Sequence, residues 1–470
     1  MKRTRLTIAL MIGAFAAVLN ETLLNIAYPE LTVRFDAPMS TIQWLTSGYM
    51  LTIGVLMPLT AFLQERFAAR TVYFAASGLF LAGTLLCAAA PDFPLLLAGR
   101  LTQAAGTGVL LPFTVSTLLR LYRPEERGRA MGLFGLAVMT APAVGPVLSG
   151  LITDALSWRW LFALVAPFAA LAMSVTARHL ENSAAAAKPN ADILSILLST
   201  IGFGGVVYGC SRAADGGWTA PEAGLPLAAG AAALVLFAWR QARLETPILE
   251  VRAFRTPLFA LAAGFMFIVM MTLLGTMILL PLYMQHVLGM SAFAAGLAMM
   301  PGGIANGLLS AASGRLLDRF GPAAPMIPGL ALLAAGMWRS GALDGASSAW
   351  DVIALHVMVL AGIACLMVPA ETAGLNALPP ALHPHGAAIL GTIQQLAGAV
   401  GTAVYVTLMT GHAKRAAAEG TAEALAAGVQ GAYGAAFLAV IAALLPGLWI
   451  CLGGHRRRRP AVGTSRQGEA

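Results

Sequence analysis

The chain is a succession of apolar runs, each about as long as the hydrocarbon core of a bilayer is thick. A helix rises about 1.5 Å per residue, so about 20 residues cross that core. Fourteen such runs are legible, near 6–27, 43–64, 71–90, 94–120, 129–153, 158–177, 192–212, 223–240, 257–286, 291–312, 324–342, 351–370, 384–411 and 431–453. Backbone groups in lipid must bond within their own segment, so each run is expected to be a helix. The runs at 257–286 and 384–411 are long enough to tilt or to extend beyond the membrane. The connections are short, and none could hold a separate soluble domain. Only 11% of the 470 residues are charged, against about 25% in soluble domains, too few to coat a globule in water. The expectation is an all-α membrane protein with fourteen transmembrane helices. An even number puts both termini on one side.

The basic residues mark that side. With the N-terminus cytoplasmic, 22 of the 29 Lys and Arg fall on inside segments and 6 outside. Arg100 alone lies within a span. This bias follows the positive-inside rule and points to a cell inner membrane with cytoplasmic termini. It accounts for the net charge of +8 with the bilayer as partner and without nucleic acid. The Arg456–Arg459 cluster reads as an anchor on anionic lipid. Met1-Lys2-Arg3-Thr4-Arg5 and the apolar run after it imitate a secretory signal, but cleavage near Ala14-Phe15-Ala16 would destroy the repeat described next. The four cysteines lie far apart, without metal-ligand or redox spacing, and read as packing residues.

Two segments echo each other. Ala61-Phe62-Leu63-Gln64-Glu65-Arg66-Phe67 follows the second run, and Gly314-Arg315-Leu316-Leu317-Asp318-Arg319-Phe320-Gly321 follows the tenth. Each joins a helix pair by a turn with an acid–Arg–Phe core. The plan this implies is six helices, two inserted helices and six more, with halves related by an axis along the membrane normal. The expected divisions are a first bundle over 1–182, a linker with two extra helices over 183–250, a second bundle over 251–455 and a tail over 456–470. The polar stretch 179–191 is the natural linker after the first bundle.

A family resemblance rests on several motifs in order. Leu19-Asn20-Glu21-Thr22 through Pro29 resembles the first-helix motif LDxTIVNVALP of the fourteen-span drug:proton antiporter-2 family of the major facilitator superfamily. Arg100-Leu101-Thr102-Gln103-Ala104-Ala105-Gly106 with Pro112 resembles that family's RxxQGxG…P. Ala141-Pro142-Ala143-Val144-Gly145-Pro146-Val147-Leu148-Ser149-Gly150 resembles its antiporter motif GxxxGPxxGG. Trp158-Arg159-Trp160-Leu161-Phe162 and Gln394-Gln395-Leu396-Ala397-Gly398 are also family-like. The LNET spelling, with Glu371-Thr372-Ala373-Gly374-Leu375-Asn376, resembles a branch associated with lincosamide and multidrug export. The resemblance implies the major facilitator fold, two six-helix bundles plus two inserted helices. It also implies antiport of small drug-like molecules against protons. This chain departs from the family at one point: the usual Asp aligns with Asn20, and the acid stands one residue on, at Glu21.

An intramembrane carboxylate costs roughly 3 kcal/mol on insertion scales, so it is functional by default. Glu21 and Asn25 are four apart and share a helix face, while Asn20 points about 100° away. Glu21 and Arg100 lie at matching depths, and Gln103 follows Arg100 on nearly the same face. The expected roles are proton coupling for Glu21 and Arg100. The bland alternatives are a fixed ion pair or an acid in a wet vestibule. Asn25, Gln103, Asn306, Gln394 and Gln395 are the substrate-cavity candidates, the glutamines also being ordinary interhelical contacts. Gly145, Pro146 and Gly150 would pack or hinge the antiporter helix. Glu65, Arg66, Asp318 and Arg319 would gate the cytoplasmic side, with solvated turns as the alternative. His356 reads as interfacial, and Glu371 as a lesser candidate for coupling.

The expected function is proton-coupled efflux of amphipathic or cationic compounds by alternating access. A carrier for one endogenous metabolite or antibiotic, or a transport-inactive sensor or scaffold, remains open. No GxxxxGK[ST], HExxH or other catalytic constellation is present, so an enzyme is not expected, nor a cofactor or metal. Nothing indicates a periplasmic adaptor.

Overall fold

Apolar runs with few charges fold as helices in the computed structural model, which describes residues 2–181, 192–218, 220–344, 346–416 and 421–456. The first nine helices are α1 (Lys2–Leu23), α2 (Tyr28–Phe35), α3 (Met39–Ile42), α4 (Trp44–Leu56), α5 (Leu59–Arg66), α6 (Ala69–Ala89), α7 (Phe93–Leu121), α8 (Arg127–Ala155) and α9 (Arg159–His179). Next come α10 (Ile193–Gly216) and α11 (Pro221–Arg243). The last six are α12 (Pro257–His286), α13 (Ala292–Phe320), α14 (Ala323–Ser340), α15 (Ala349–Asn376), α16 (His383–Arg415) and α17 (Thr421–Arg456). Most of the polar linker at 179–191, the tail beyond 456 and the side chains of the Arg456–Arg459 cluster lie outside the described residues.

Among the described residues, twelve helices are long and apolar enough to cross a membrane, and a bent pair, α4 with α5, brings the number to thirteen. This does not confirm the expected fourteen. The remaining expected segment, 324–342, falls on α14, an 18-residue helix that ends in Trp338-Arg339-Ser340 and is not among the twelve. Two other runs are less regular than their apolarity suggests. After Leu23 the first helix tightens into a 3-10 turn, Leu24–Ala27, before α2 resumes with Pro29 in its first turn. Proline has no N–H for the carbonyl four residues back, which favours a break there. The second run bends by 52° between Leu56 and Leu59. Pro58 sits in that gap and gives the kink its cause.

Packing gathers the helices on either side of a central interface. Helix α1 lies on α8 and α9, α6 on α7 and α9, and α4 on α7. Later in the chain, α12 lies on α15, α16 and α17, and α14 on α15 and α17. The closest-packed pair, α8 with α13, crosses the interface. Helices α10 and α11 pack on each other, and α10 rests on both α4 and α16. Trp44 on α4 stacks on Tyr208 of α10, centroids 6.1 Å apart. Arg240 at the end of α11 donates to both carboxylate oxygens of Asp192 at the start of α10, at 2.7 and 3.0 Å.

The start of α1 and the start of α8 lie on one side, which we call the N-terminal face. Arg3 donates to Glu126 at 2.8 Å there, and the Thr7 and Tyr122 hydroxyls meet at 3.0 Å.

Candidate functional site

Arg100 is fully buried, at 0% exposure, and it is held by neutral acceptors. Its Nη1 donates to Asn20 Oδ1 at 2.9 Å, to the Asn20 carbonyl at 3.3 Å and to Gln103 Oε1 at 2.9 Å. Its Nε donates to the Leu45 carbonyl at 3.2 Å. The guanidinium carbon sits 4.0 Å from the Tyr49 ring centroid, a cation–π contact. Gln103 in turn donates to Thr84 at 2.7 Å, and the Tyr49 and Thr107 hydroxyls meet at 2.8 Å. Gln103 is thus part of this buried network between α6 and α7. It is not among the residues lining the cavity between the helix groups described below.

No hydrogen bond or ion pair joins Glu21 to Arg100 among the described residues. The guanidinium takes Asn20, the neighbouring residue on α1. Successive helical residues point about 100° apart, so only one of the two can meet α7 directly. Glu21 is half-buried, one residue beyond that contact and three before the 3-10 break. The buried positive charge of Arg100 is therefore left without a contact counter-ion, one position from a carboxylate. The side chain of Asn25 lies outside the described residues.

Thr22, the next residue, faces α8. A Cβ built on Gly145 would lie 2.2 Å from Thr22 Oγ1, so only glycine lets α1 and α8 approach this closely. Gly150 is buried, but a Cβ there would meet nothing nearer than Phe293 at 3.9 Å. The Pro146 side chain lies outside the described residues.

A cavity of ≈ 70 Å³ lies where the two helix groups face each other. Met57, Pro112 and Phe134 line one side; Asn306, Glu371 and Gln394 supply polar groups on the other. Glu371 is the one ionisable residue among its lining. The Oδ1 of Asn306 has no hydrogen-bond partner among the described residues. Sites for drug-sized ligands span about 300–1,000 Å³, so this volume corresponds to a closed state that must widen to admit one. Gln395 is half-buried on α16 and does not line the cavity.

On the N-terminal face the two acid–Arg turns reach across the interface. Asp318, near the end of α13, accepts from the backbone N–H groups of Gly128 and Arg129 at 2.8 and 2.7 Å, and so caps the start of α8. The free N–H groups and positive end of a helix favour a carboxylate there. Glu65 on α5 bonds Nε2 of His385, in the first turn of α16, at 2.7 Å. The Nδ1 of His385 meets the N–H of Glu250 at 3.1 Å, so it must accept and Nε2 carries the hydrogen toward Glu65. Arg127 adds a third crossing bond, to Asn376 Oδ1 at 2.5 Å. Arg319 is exposed and its guanidinium carbon lies 4.9 Å from the Phe320 ring centroid, while Arg66 is half-buried at the end of α5.

The sequence reading missed His385 and Arg127 as crossing partners. The only local signal for the first was His383-Pro384-His385, two residues after Pro379-Pro380. The described residues hold no group of three or more His, Cys, Asp or Glu that could bind a metal ion. Cys87, Cys210 and Cys451 are buried and Cys365 is half-buried, all as free thiols.

Comparison with known proteins gives this geometry a family. Residues 10–402 match the model of the Major Facilitator Superfamily. The lincomycin resistance protein LmrB of Listeria monocytogenes is 41% identical over 447 residues, 94% of this chain and 95% of that protein. A multidrug resistance protein B homolog of Mycobacterium tuberculosis is 29% identical over 85% of this chain and 75% of its own length. The structure of the proton:xylose symporter XylE, at 15% identity, superposes with a TM-score of 0.63, covering 93% of this chain and 94% of that one. The chain belongs to the Major Facilitator Superfamily, a family of membrane transporters and not of enzymes.

Proposed function

We propose that this protein exports amphipathic or cationic small molecules in exchange for protons, by alternating access across the cell inner membrane with both termini cytoplasmic. The observation that carries the reading is the cavity between the two helix groups, with Asn306, Gln394 and Glu371 set in an otherwise largely apolar wall. Such a lining suits amphipathic ligands, and a lone carboxylate suits a cation or a proton. The resistance names of its relatives support drug as the cargo. Residues 1–182 and 251–455 act as the rocking bundles, with α10 and α11 between them. Asp318 and Glu65 lock the N-terminal face, which is the cytoplasmic one by its excess of arginine. Glu21 carries the proton and Arg100 sets the field around it. No periplasmic adaptor is required by this scheme.

Purified protein in proteoliposomes with an imposed pH gradient tests this. Uphill export of ethidium that collapses with the gradient supports it, and absence of gradient-driven flux overturns it. The Glu21→Gln variant should lose proton-coupled export while keeping its thermal stability. Wild-type coupling in that variant removes Glu21 as the obligatory carrier. A second reading, a carrier dedicated to one antibiotic, is favoured by a close relative named for lincomycin alone. Export of a single compound from a broad panel would select it.

A further inference from the structure

A second cleft, of ≈ 420 Å³, opens on the N-terminal face where the α7–α8 connection meets the α15–α16 connection. Arg120, Arg123 and Arg127 line it from the first connection, and Pro380 and His383 from the second. Arg127 is engaged by the Leu119 and Tyr122 carbonyls and by Asn376. The guanidinium groups of Arg120 and Arg123 form no hydrogen bond or ion pair among the described residues. Of the two carboxylates on the same connection, Glu126 is taken by Arg3, and Glu125 is exposed. Three arginines therefore line the cleft within eight residues of chain, with no contact counter-ion among the described residues.

The second observation comes from the opposite wall. His383 is only 1% exposed, yet its Nε2 has no hydrogen-bond partner. A buried polar nitrogen left unpaired is costly and calls for a partner. Positive-inside composition explains why arginines lie on this face, but not why a buried imidazole nitrogen stands unsatisfied beside them. Guanidinium forks donate well to phosphate oxygens, and an imidazole N–H can donate to the oxygens of a phosphodiester or of free phosphate alike.

We propose that this cleft binds a phosphate-type oxyanion, held by Arg120 and Arg123 of one bundle and His383 of the other. The anion ties the two helix groups together and favours closure of the N-terminal face. Its source is either the headgroup of an acidic phospholipid, for which basic pockets between membrane helices are suited, or free phosphate. The site lies apart from the ≈ 70 Å³ cavity and shares no lining residue with it. The proposal does not depend on what the protein transports.

Full-length protein in phosphatidylcholine nanodiscs, with and without phosphatidylglycerol, gives the lipid arm, read as unfolding temperature against lipid fraction. Sodium phosphate against sodium chloride at equal ionic strength, in neutral nanodiscs, gives the free-anion arm. One arm should stabilise the wild type in a saturable way, and which one it is identifies the source. The Arg120→Gln/Arg123→Gln variant should need about thirtyfold more ligand for the same shift, the weight of two basic groups near an anionic partner. His383→Gln should weaken the response as well. A matched loss of charge elsewhere on this face, Arg255→Gln/Arg315→Gln, should leave it intact. The proposal is overturned if neither ligand stabilises the wild type, if the Arg120/Arg123 variant responds like the wild type, or if the matched control loses the response equally.

Discussion

Arg100 and the two residues at 20 and 21 show how finely side-chain direction decides a site. The motif around Arg100 marked it as an intramembrane charge, and its depth pointed to the right stretch of α1. Its partner was not legible, because a one-residue step turns a helical side chain by about 100° and the sequence carries no absolute rotation. Asn20 meets the guanidinium, and Glu21 stands beside that contact. Hydrogen bonds to charged groups are worth about 1.5–3 kcal/mol, so Asn20→Ala should destabilise the protein by about 2 kcal/mol. A denaturant titration in detergent measures this, and an unchanged midpoint would show that water or another acceptor replaces the amide. The first-helix motif that this chain resembles implies an acid at position 20, the position that meets Arg100 here. Adding Asn20→Asp to Glu21→Gln should therefore restore part of the proton-coupled export in proteoliposomes. No recovery would mean that the two positions are not interchangeable.

At the scale of elements, the long apolar runs set the helices well, because lipid permits no other backbone solution for them. Where they misled was continuity. The second run stays apolar across Met57 and Pro58, so apolarity alone could not divide α4 from α5, and the 52° bend follows from the missing proline N–H. Helix pairing was less legible still. The close approach of α8 and α13 rests on glycines that read in sequence as ordinary membrane composition. A Cβ on Gly314 would lie 2.0 Å from the Gly128 carbonyl oxygen, inside any tolerable contact. Gly314→Val should force these helices apart. Overpacking costs about 1–3 kcal/mol, enough to lower closure of this face about tenfold. Gly224→Val, where the nearest atom to a Cβ is 3.7 Å away, should leave transport unchanged. Ethidium export by the two variants, normalised to protein in the membrane, makes the comparison. Equal rates would remove the α8–α13 contact from the transport cycle.

For the whole molecule, the informative sequence signal was the echo between Glu65-Arg66-Phe67 and Asp318-Arg319-Phe320. It identified two turns of one kind but not what each turn meets. Those partners lie 320 residues away for Glu65 and 190 for Asp318, beyond the reach of any local pattern. In the structure each acid leaves its own helix group and binds the start of a helix in the other: Asp318 on α8, Glu65 on α16. The two contacts are thus alike in logic and opposite in direction, which is what a face held shut by two related halves requires. In the alternating-access cycle proposed above both would break as that face opens, so on that reading they bear on the equilibrium between states more than on folding. Asp318→Asn keeps the shape but removes the charge and one of two acceptors. At about 1.4 kcal/mol, a modest share of a charge-assisted cap, the closed-to-open ratio falls about tenfold. Glu65→Gln acts on a separate partner, so its effect should add to that of Asp318→Asn. Ser310 is buried beside the cavity and reports on this directly. With Cys87, Cys210, Cys365 and Cys451 replaced, a Ser310→Cys probe should be alkylated about tenfold faster in the Asp318→Asn background, and faster again in the double variant. Unaltered labelling would leave the two turns as solvated, positively biased connections, with the gate to be sought instead along α8 and α13.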